Sequence, residues 1–318
     1  MEKHFELTDE TIEVAGNTLH RIRCTRDCKW AKTGDLGGFI EKEDNLSGDA
    51  WVADNAQVFG TARVSDNARV SGNAWVSGTA QVFGTARVSD NARVSGNAWV
   101  SGDAWVADNA RVFGTARVSD NARVSGNAWV SGTARVSGNA RVSGNAWVYD
   151  NAQVFGDAWV FGTARVFGNA WVYDNAQVSG NAWVSGTARV SGNAWVYDNA
   201  QVFGNAWVSG TARVFGTARV SDNAWVYDNA QVFGDAWVFG TARIDCIKAH
   251  CGFDVFGSCG RHTHAYITAE NKIEITCGCF RGSIEEFEAK VRKTHGDNQY
   301  AHEYLAIIYL IKIKFGLV

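Results

Sequence analysis

Residues 62–79 read Ala-Arg-Val-Ser-Asp-Asn, Ala-Arg-Val-Ser-Gly-Asn and Ala-Trp-Val-Ser-Gly-Thr. The hexad continues on both sides, with Ala at every sixth position from Ala50 to Ala242 and Val at every sixth position from Val52 to Val238. Leu46 and Ile244 extend the same phase, and no insertion interrupts the array. A repeat this regular outweighs any expectation of domain number based on chain length alone.

Each hexad predicts one strand and one corner. Alternate side chains of a strand face the same way, so the Ala and Val of each Ala-x-Val triplet point inward and x points outward. The last two residues of each hexad form the corner, and they are of types that tolerate turns, as in Gly72-Asn73. A strand of about four residues and a two-residue corner predict a three-sided coil of eighteen residues. The thirty-three hexads therefore predict about eleven coils.

The spacing of an aliphatic residue and, four positions later, a small one, as in Val70 and Ala74, resembles the hexapeptide-repeat family of left-handed parallel β-helices. The resemblance spans about 200 residues. It implies an all-β solenoid of left-handed, three-sided coils. A right-handed β-helix, whose coils are usually longer and less regular, is the alternative. The five-residue period of pentapeptide solenoids is excluded.

The family resemblance also implies which activities to look for. Many members are acyltransferases with a histidine general base and loops that project from a coil. The γ-class carbonic anhydrases, which share the fold, hold zinc with several histidines. This sequence has no histidine between His20 and His250 and no loop within the array. We therefore expect no enzymatic chemistry in the solenoid.

The outward surface differs between the two halves of the array. The position after Val is aromatic at eleven of sixteen sites from Tyr149 to Phe239, and mostly Ser before that. Exposed aromatic area on this scale usually marks an interface. The alternative is that the rings stack on each other and stabilise neighbouring coils. We predict a homo-oligomer or protein-partner interface in the C-terminal half, around Trp147, Tyr149, Phe161, Tyr197, Trp207 and Trp225.

Net charge and composition indicate whether nucleic acids or membranes are expected as partners. The net charge is −3, and fourteen Arg in the array are matched by fourteen Asp, so nucleic-acid binding is not expected. Residues 1–10 are charged rather than apolar, and no segment has the length of apolar sequence needed to span a bilayer. The seven cysteines form no evident disulfide framework. We therefore expect a cytoplasmic protein without a membrane partner.

The array separates three predicted domains, which are residues 1–45, 46–245 and 246–318. The first is expected to be a β cap with a hairpin from Thr11 to Cys24 around the turn dipeptide Gly16-Asn17. Ile40 already shares the hexad phase. The cap should therefore seal the first coil, which would otherwise expose unpaired backbone.

Two segments outside the array carry a second resemblance. Gly34 to Leu46, together with the repeat, looks like hexapeptide-repeat proteins common in phages and prophages, which are described as polymer-forming and have no established activity. The element Cys277 to Gly282 also looks like one in those proteins. The resemblance implies a phage or prophage origin and no reaction.

The last 70 or so residues predict a small α+β domain. A hairpin of residues 261–268 and 272–277 is expected around Glu270-Asn271. Ser283 and Glu286 have the spacing of a capping box, which predicts a helix to about Lys293. A second helix is expected after Asp297, and we interpret its apolar part, residues 304–315, as packed.

The expected hairpin also suggests a zinc site. With Glu270-Asn271 as a two-residue turn, His264 lies opposite Cys277 and His262 lies opposite Cys279. Two imidazoles and two thiols form a zinc-compatible ligand set. The alternative is that the cysteines are buried for structural reasons and the histidines are solvated. Cys24 and Cys28 form a weaker pair, and no other cofactor is indicated.

These observations predict a non-enzymatic structural, assembly or protein-interaction scaffold. One alternative is a binding module that sequesters a small molecule or masks a host protein. Another is an enzyme confined to the C-terminal domain, with His250, His262, His264 and the cysteines as its only candidate catalytic residues.

Overall fold

The computed structural model describes residues 3–318 and shows a β-solenoid flanked by terminal elements. The chain divides into two compact units, and the boundary falls inside the repeat. The first unit extends to Asp174, and the second comprises Asn175–Val318. Each unit contains several turns of the solenoid, and together they hold about eleven turns, as predicted.

Every hexad contributes a two-residue strand made of the outward residue and the Val. The first is β4, Trp51–Val52, and each later strand begins six residues further on, up to β36, Arg243–Ile244. The strands are shorter than the four residues expected, because the chain already bends at the positions that flank them. The flanking backbone still pairs with the next coil, as in the Ala53 N–H to Val70 carbonyl bond of 2.8 Å.

Consecutive strands belong to three different parallel sheets, which gives each turn three sides. In the first unit, the sheets have the orders β5-β8-β11-β14-β17-β20-β23, β4-β7-β10-β13-β16-β19-β22 and β6-β9-β12-β15-β18-β21-β24. In the second unit, they have the orders β26-β29-β32-β35, β25-β28-β31-β34 and β27-β30-β33-β36. The left hand of the coil stays a prediction.

The interior of the solenoid consists of the Ala and Val stacks that the hexad predicted. Val76 and Ala74, like the equivalent residues of almost every other hexad, have no exposed surface. Full burial of each Val contributes about 1.5–3 kcal/mol. The Ala side chain leaves room for the chain to turn, so one bulky and one small residue per side fill the coil.

The corners depend on backbone with positive φ. The first corner residue is Asp or Gly, as in Asp54 at φ 58° and Gly72 at φ 67°. Gly has no Cβ penalty in this region, and Asp tolerates it better than most residues. The Asp54 carboxylate also accepts the Gly72 N–H of the next coil at 2.9 Å. Asp and Gly can therefore occupy the same corner position for the same conformational reason.

The N-terminal segment forms a hairpin of β1, Phe5–Val14, and β2, Asn17–Cys24. Val14 pairs with Asn17, so the turn dipeptide is Ala15-Gly16 and the predicted Gly16-Asn17 was wrong by one residue. Ala15 and Gly16 both have positive φ, as a type I′ turn requires.

Strand β3, Leu36–Ile40, joins the hairpin to the solenoid. It pairs antiparallel with β2 and parallel with β5, where Ile40 lies beside Val58. A Cβ on Gly37 would lie 2.5 Å from the Val52 carbonyl oxygen, so only glycine lets the strand approach the first coil this closely. The segment thus covers the exposed edge of the first turns.

The C-terminal domain contains an antiparallel sheet in the order β37-β38-β39-β40 and two helices. Its strands are His250–Phe256, Arg261–Ile267, Ile273–Cys277 and Phe280–Gly282, and its helices are α1, Ile284–His295, and α2, Gln299–Lys314. The α+β prediction is confirmed, and so are both helices. The first and last strands were not predicted. Short 3-10 turns occur at Glu43–Asn45 and Ile247–Ala249.

The helix ends follow their sequence signals. The Ser283 hydroxyl accepts the Glu286 N–H and the Glu286 carboxylate accepts the Ser283 N–H, which confirms the capping box. Asn298 caps α2 by accepting the Ala301 N–H at 3.0 Å. Across residues 3–318, none of the helices combines the length and the apolar content needed to cross a membrane.

The corner geometry predicts how Gly126 tolerates substitution. Gly126 has φ 65°, and a Cβ there would lie 2.8 Å from the Gly144 carbonyl oxygen. We expect Gly126→Ala to lower the free energy of unfolding by about 1–2 kcal/mol. Gly126→Asp should cost less than half as much, because its carboxylate can accept the Gly144 N–H. Chemical denaturation of both variants measures the difference, and equal losses would contradict this account of the corners.

Candidate functional site

The outward Trp residues of the repeat lie over the preceding coil. Most of these indoles meet the side chain that follows Val sixteen positions earlier. At several sites where that side chain is Ser, the indole N–H donates to the hydroxyl, so the two residues form a pair between coils. The pairs include Trp105 with Ser89 at 3.0 Å, Trp159 with Ser143 at 3.1 Å and Trp207 with Ser191 at 3.1 Å.

Where that side chain is Phe, the two rings pack edge to face. The Phe59 and Trp75 centroids lie 6.0 Å apart at 77°, and Phe83 and Trp99 lie 6.0 Å apart at 79°. Edge-to-face aromatic pairs contribute about 0.5–1.5 kcal/mol beyond their buried area. The Trp residues therefore stabilise the stack of coils whichever of the two partners they meet.

Arg and Asp side chains of the repeat also make contacts between neighbouring coils. Arg117 lies over the Trp99 ring at 4.6 Å, and Arg93 lies over Trp75 at 4.7 Å. The Asp120 carboxylate accepts the Gly138 N–H of the next coil at 3.0 Å. These contacts hold neighbouring coils together, which is the structural alternative that the sequence left open.

Three of the six predicted interface residues lie in the first unit, and each is paired with another ring. Trp147 is stacked on Trp129 with centroids 4.9 Å apart and planes at 3°. The other two pairs are Tyr149 stacked on Phe167 at 4.9 Å and Phe161 tilted against Trp159 at 4.6 Å. Trp147 nevertheless keeps 37% of its surface exposed.

The other three predicted interface residues lie in the second unit. Tyr197 is stacked on Phe215 at 5.0 Å. Trp207 and Trp225 pack against each other at 5.0 Å, and the Arg243 guanidinium lies 3.5 Å from the Trp225 centroid. The structure thus brings Trp207 and Trp225 together in a depression of about 420 Å³.

The sequence interpretation missed an exposed apolar stripe on α2. Tyr309 is 59% exposed, Leu310 49% and Ile313 48%, and they lie on one side of the helix. The opposite side is buried against the domain core, as at Ile308 and Ile311. The prediction of a packed helix is therefore correct for one face only. A helix that is apolar all round was the available signal.

The predicted zinc set depends on a hairpin register that was wrong. Thr263 pairs with Cys277 and His264 pairs with Thr276, so residues 268–272 form a five-residue loop instead of a two-residue turn. A shift of one residue moves side chains to the opposite face of a sheet. His264 and Cys277 therefore lie on different faces.

The four proposed ligands are accordingly divided. His262 and His264 lie on the sheet face that meets the solenoid end, while Cys277 belongs to the core cluster beneath the helices. Within residues 3–318, no group of three or more His, Cys, Asp or Glu side chains is arranged to hold a metal ion. The register error removes the geometric basis of the zinc hypothesis.

His250 and His264 form a buried pair between the C-terminal sheet and the last turns of the solenoid. His250 Nδ1 lies 2.9 Å from His264 Nε2. The other nitrogens face carbonyl oxygens, Gln231 at 2.6 Å and Trp237 at 3.3 Å. Two neutral rings carry two ring protons, so only two of these three contacts can be hydrogen bonds at one time.

Burial determines the charge of this pair. It lowers the pKa of His250 to about 4, although the Gln231 carbonyl acts in the opposite direction. It also lowers the pKa of the fully buried His264 well below the ordinary value. Next to them, His262 Nδ1 contacts the Asp254 carboxylate, while its Nε2 is buried without a hydrogen-bond partner in the described chain.

The cysteines lie in a different setting, on the helix side of the sheet. Cys277 and Cys279 line a cavity of about 190 Å³ together with Cys259. His295 of α1 and Tyr304 of α2 complete part of its wall. The sequence interpretation named neither as a candidate site residue, since sequence spacing alone does not bring residues of a strand and two helices together.

Comparison with known proteins supports the repeat architecture. The model of the YdcK beta-solenoid repeat family matches residues 62–78, 86–102, 116–132, 134–150 and 164–180. These segments cover about a quarter of the chain and all lie within the repeat. No curated protein matches the chain. The chain is therefore a β-solenoid repeat protein similar to that family in its repeat.

The buried histidines predict a loss of stability in acid. Because the native pKa of His250 lies below the ordinary value near 6.5, the unfolded chain binds more protons. The contribution of the neutral His250 ring to folding stability is fully present above pH 6.5, and it is lost as the pH falls towards 4. We expect His250 to account for about 3 kcal/mol of that loss. Lys314 and His262 also disfavour the charged ring.

Denaturant unfolding of wild type and His250→Gln, followed by helical circular dichroism from pH 7 to 4.5, measures this contribution. His302→Gln, at an exposed position, is the matched control. The His250 variant should lose less stability in acid than the wild type, while the control should follow the wild type. Parallel curves for all three proteins would show that the pair does not control acid sensitivity.

Proposed function

We propose that this chain is a non-enzymatic interaction scaffold that associates with a second copy of itself through apolar side chains of the second unit. The observation that carries the proposal is the exposed stripe of Tyr309, Leu310 and Ile313 on α2. Contiguous exposed apolar side chains usually mark an interaction surface.

The two faces of α2 support this proposal. Tyr304, Ile308 and Ile311 are buried in the domain core, so one face already stabilises the fold. The outer face carries residues that are equally apolar, although a surface helix normally carries polar residues there. Burial against a partner would remove that apolar area from water.

Aromatic side chains of the repeat add to the exposed apolar area in the same unit. Each retains more than a third of its surface, so its ladder contacts leave an edge free for a partner. These residues are Trp225 at 37%, Phe233 at 46% and Trp237 at 39%. Aromatic residues are enriched in protein interfaces because they bury large areas with few rotatable bonds.

The polar groups of the repeat support a role without catalysis. Asn73, for example, donates to Asn91 of the next coil, and Asn91 donates to Asn109. Ser hydroxyls accept indole N–H groups, and Asp carboxylates accept corner N–H groups. Side chains engaged in this way are poor candidates for acid–base chemistry. We accordingly propose that the solenoid needs no metal or cofactor.

The proposal also covers the origin of the protein and its cellular compartment. The resemblance of residues 34–46 and 277–282 to phage and prophage proteins supports a mobile-element origin. All seven cysteines are free, which is typical of a reducing compartment such as the cytoplasm. A role as a small-molecule binding module is the second candidate, and the cavity beside Cys277 favours it.

Self-association can be measured directly. We expect the wild-type chain to form dimers or larger species at micromolar concentration in sedimentation velocity. The double substitution Leu310→Ser with Ile313→Ser should weaken association at least about tenfold, because it removes apolar area from the stripe. His302→Ser, at an exposed polar site on the same helix, should leave association unchanged.

A wild-type chain that stays monomeric at about 100 micromolar, where a dimer with a Kd near one micromolar would be largely formed, would overturn the self-association proposal. Circular dichroism of the double variant checks that the helix remains folded. Equal weakening by His302→Ser would show that the stripe is not the interface.

A further inference from the structure

The cavity of about 190 Å³ in the C-terminal domain has an apolar floor. Phe287 and Val291 of α1 and Tyr304 of α2 are all at least 95% buried and belong to the domain core. Phe280 packs against the same cluster. The floor is therefore the surface of a hydrophobic core, which suits the apolar part of a ligand.

The rim of the same cavity is basic. Arg261, Lys290 and His295 line it, and no Asp or Glu is among the lining residues. Arg261 and Lys290 are two cations without an acidic residue in the lining, and this arrangement favours an anion. An apolar floor and a cationic rim are complementary to a molecule with an apolar body and one negative group.

Two glycines make room for this arrangement. A Cβ on Gly278 would lie 2.4 Å from Arg261 Nη1, so the guanidinium lies close over the backbone at this glycine. A Cβ on Gly257 would overlap the Tyr304 ring at 2.0 Å. The backbone thus accommodates a rim residue and a floor residue of one cavity.

Among residues 3–318, no oxygen acceptor lies within hydrogen-bond distance of the Tyr304 hydroxyl. Its one hydrogen-bonding contact among the described residues is the Cys277 thiol at 4.0 Å, a long distance even for sulfur. Burial raises the pKa of Tyr304 to about 12, so the phenol keeps its proton. A buried O–H donor without a good acceptor is costly, and a bound oxygen would satisfy it.

Helix α1 offers a different explanation for part of the rim. His295 lies in its last turn, where a positive side chain is stabilised by the helix dipole, whereas Lys290 lies before that turn. Arg261 lies at the start of β38 and gains nothing from that dipole. The Arg261 guanidinium and the Tyr304 hydroxyl are therefore the features that point to a ligand.

We propose that this cavity binds a small carboxylate with an apolar body, such as an aromatic monocarboxylate. The carboxylate lies between the Arg261 guanidinium and the Tyr304 hydroxyl, and the apolar body contacts Phe280, Phe287 and Val291. The site is independent of the apolar stripe on α2, so it extends the proposed function to a bound small molecule.

Benzoate tests the proposal on the full-length chain, in reducing buffer, by isothermal titration calorimetry. Benzamide has the same shape without the charge. We expect saturable binding of benzoate and at least about tenfold weaker binding of benzamide, because charge-assisted hydrogen bonds are lost. Inorganic phosphate, which lacks an apolar body, should also bind more weakly than benzoate.

Variants locate the site. Arg261→Gln and Tyr304→Phe should each weaken benzoate binding, and Tyr304→Phe keeps the buried ring in place. Arg292→Gln is the matched control, because Arg292 is an exposed arginine of the same domain and does not line the cavity. Benzoate should also slow alkylation of Cys279, which lines the cavity, but not of Cys28, which lies in the first unit.

Equal binding of benzoate and benzamide would overturn the proposal. Wild-type affinity in both Arg261→Gln and Tyr304→Phe would overturn it as well, as would the absence of saturation by benzoate. Sedimentation of the same variants separates the two hypotheses, because changes in this cavity should leave self-association through α2 unaffected.

Discussion

Within each unit of this protein, a hexad packs on the hexad eighteen residues later, and the remaining features of the solenoid depend on that contact. One Val and one Ala per side fill the interior, and the backbone of each coil bonds to the next. The chain must turn after every strand without leaving the stack. Asp and Gly at positive φ allow that turn, since other residues pay a steric penalty there.

Strict stacking also determines what the outer side chains do. Equivalent positions of neighbouring coils lie one strand spacing apart, so Asn meets Asn, Trp meets Ser or Phe, and Arg meets Trp. Such ladders use the hydrogen-bonding and ring surfaces that an active site would need. Among the described residues, the C-terminal domain has groups without good partners at His262, Tyr304 and the outer face of α2. Buried polar atoms without a hydrogen-bond partner also occur in the described repeat, at Gln57, Arg69 and Arg243.

The C-terminal sheet shows how much depends on a single residue of register. With a five-residue loop, His264 faces the end of the solenoid and Cys277 faces the helices. His264 is then buried and its pKa falls, while Cys277 and Cys279 come to line a cavity with residues from both helices. One hairpin thus contributes one face to a structural pair and the other face to a candidate ligand site.

The sequence by itself determined the solenoid, its six-residue strand spacing, the inward Ala and Val stacks, the two helices and the capping box of the first helix. These features follow from local periodicity and local hydrogen bonding, which every hexad or helix end repeats. It also located the aromatic half of the array, but not how the rings pair.

Only the tertiary structure decided the turn at Ala15-Gly16, the hairpin register, the exposed face of α2 and the cavity that joins Arg261 to Tyr304. A turn position or a strand register can shift by one residue with little change in local propensity, because packing of the whole domain selects among the options. Residues far apart in sequence meet only when that packing is complete.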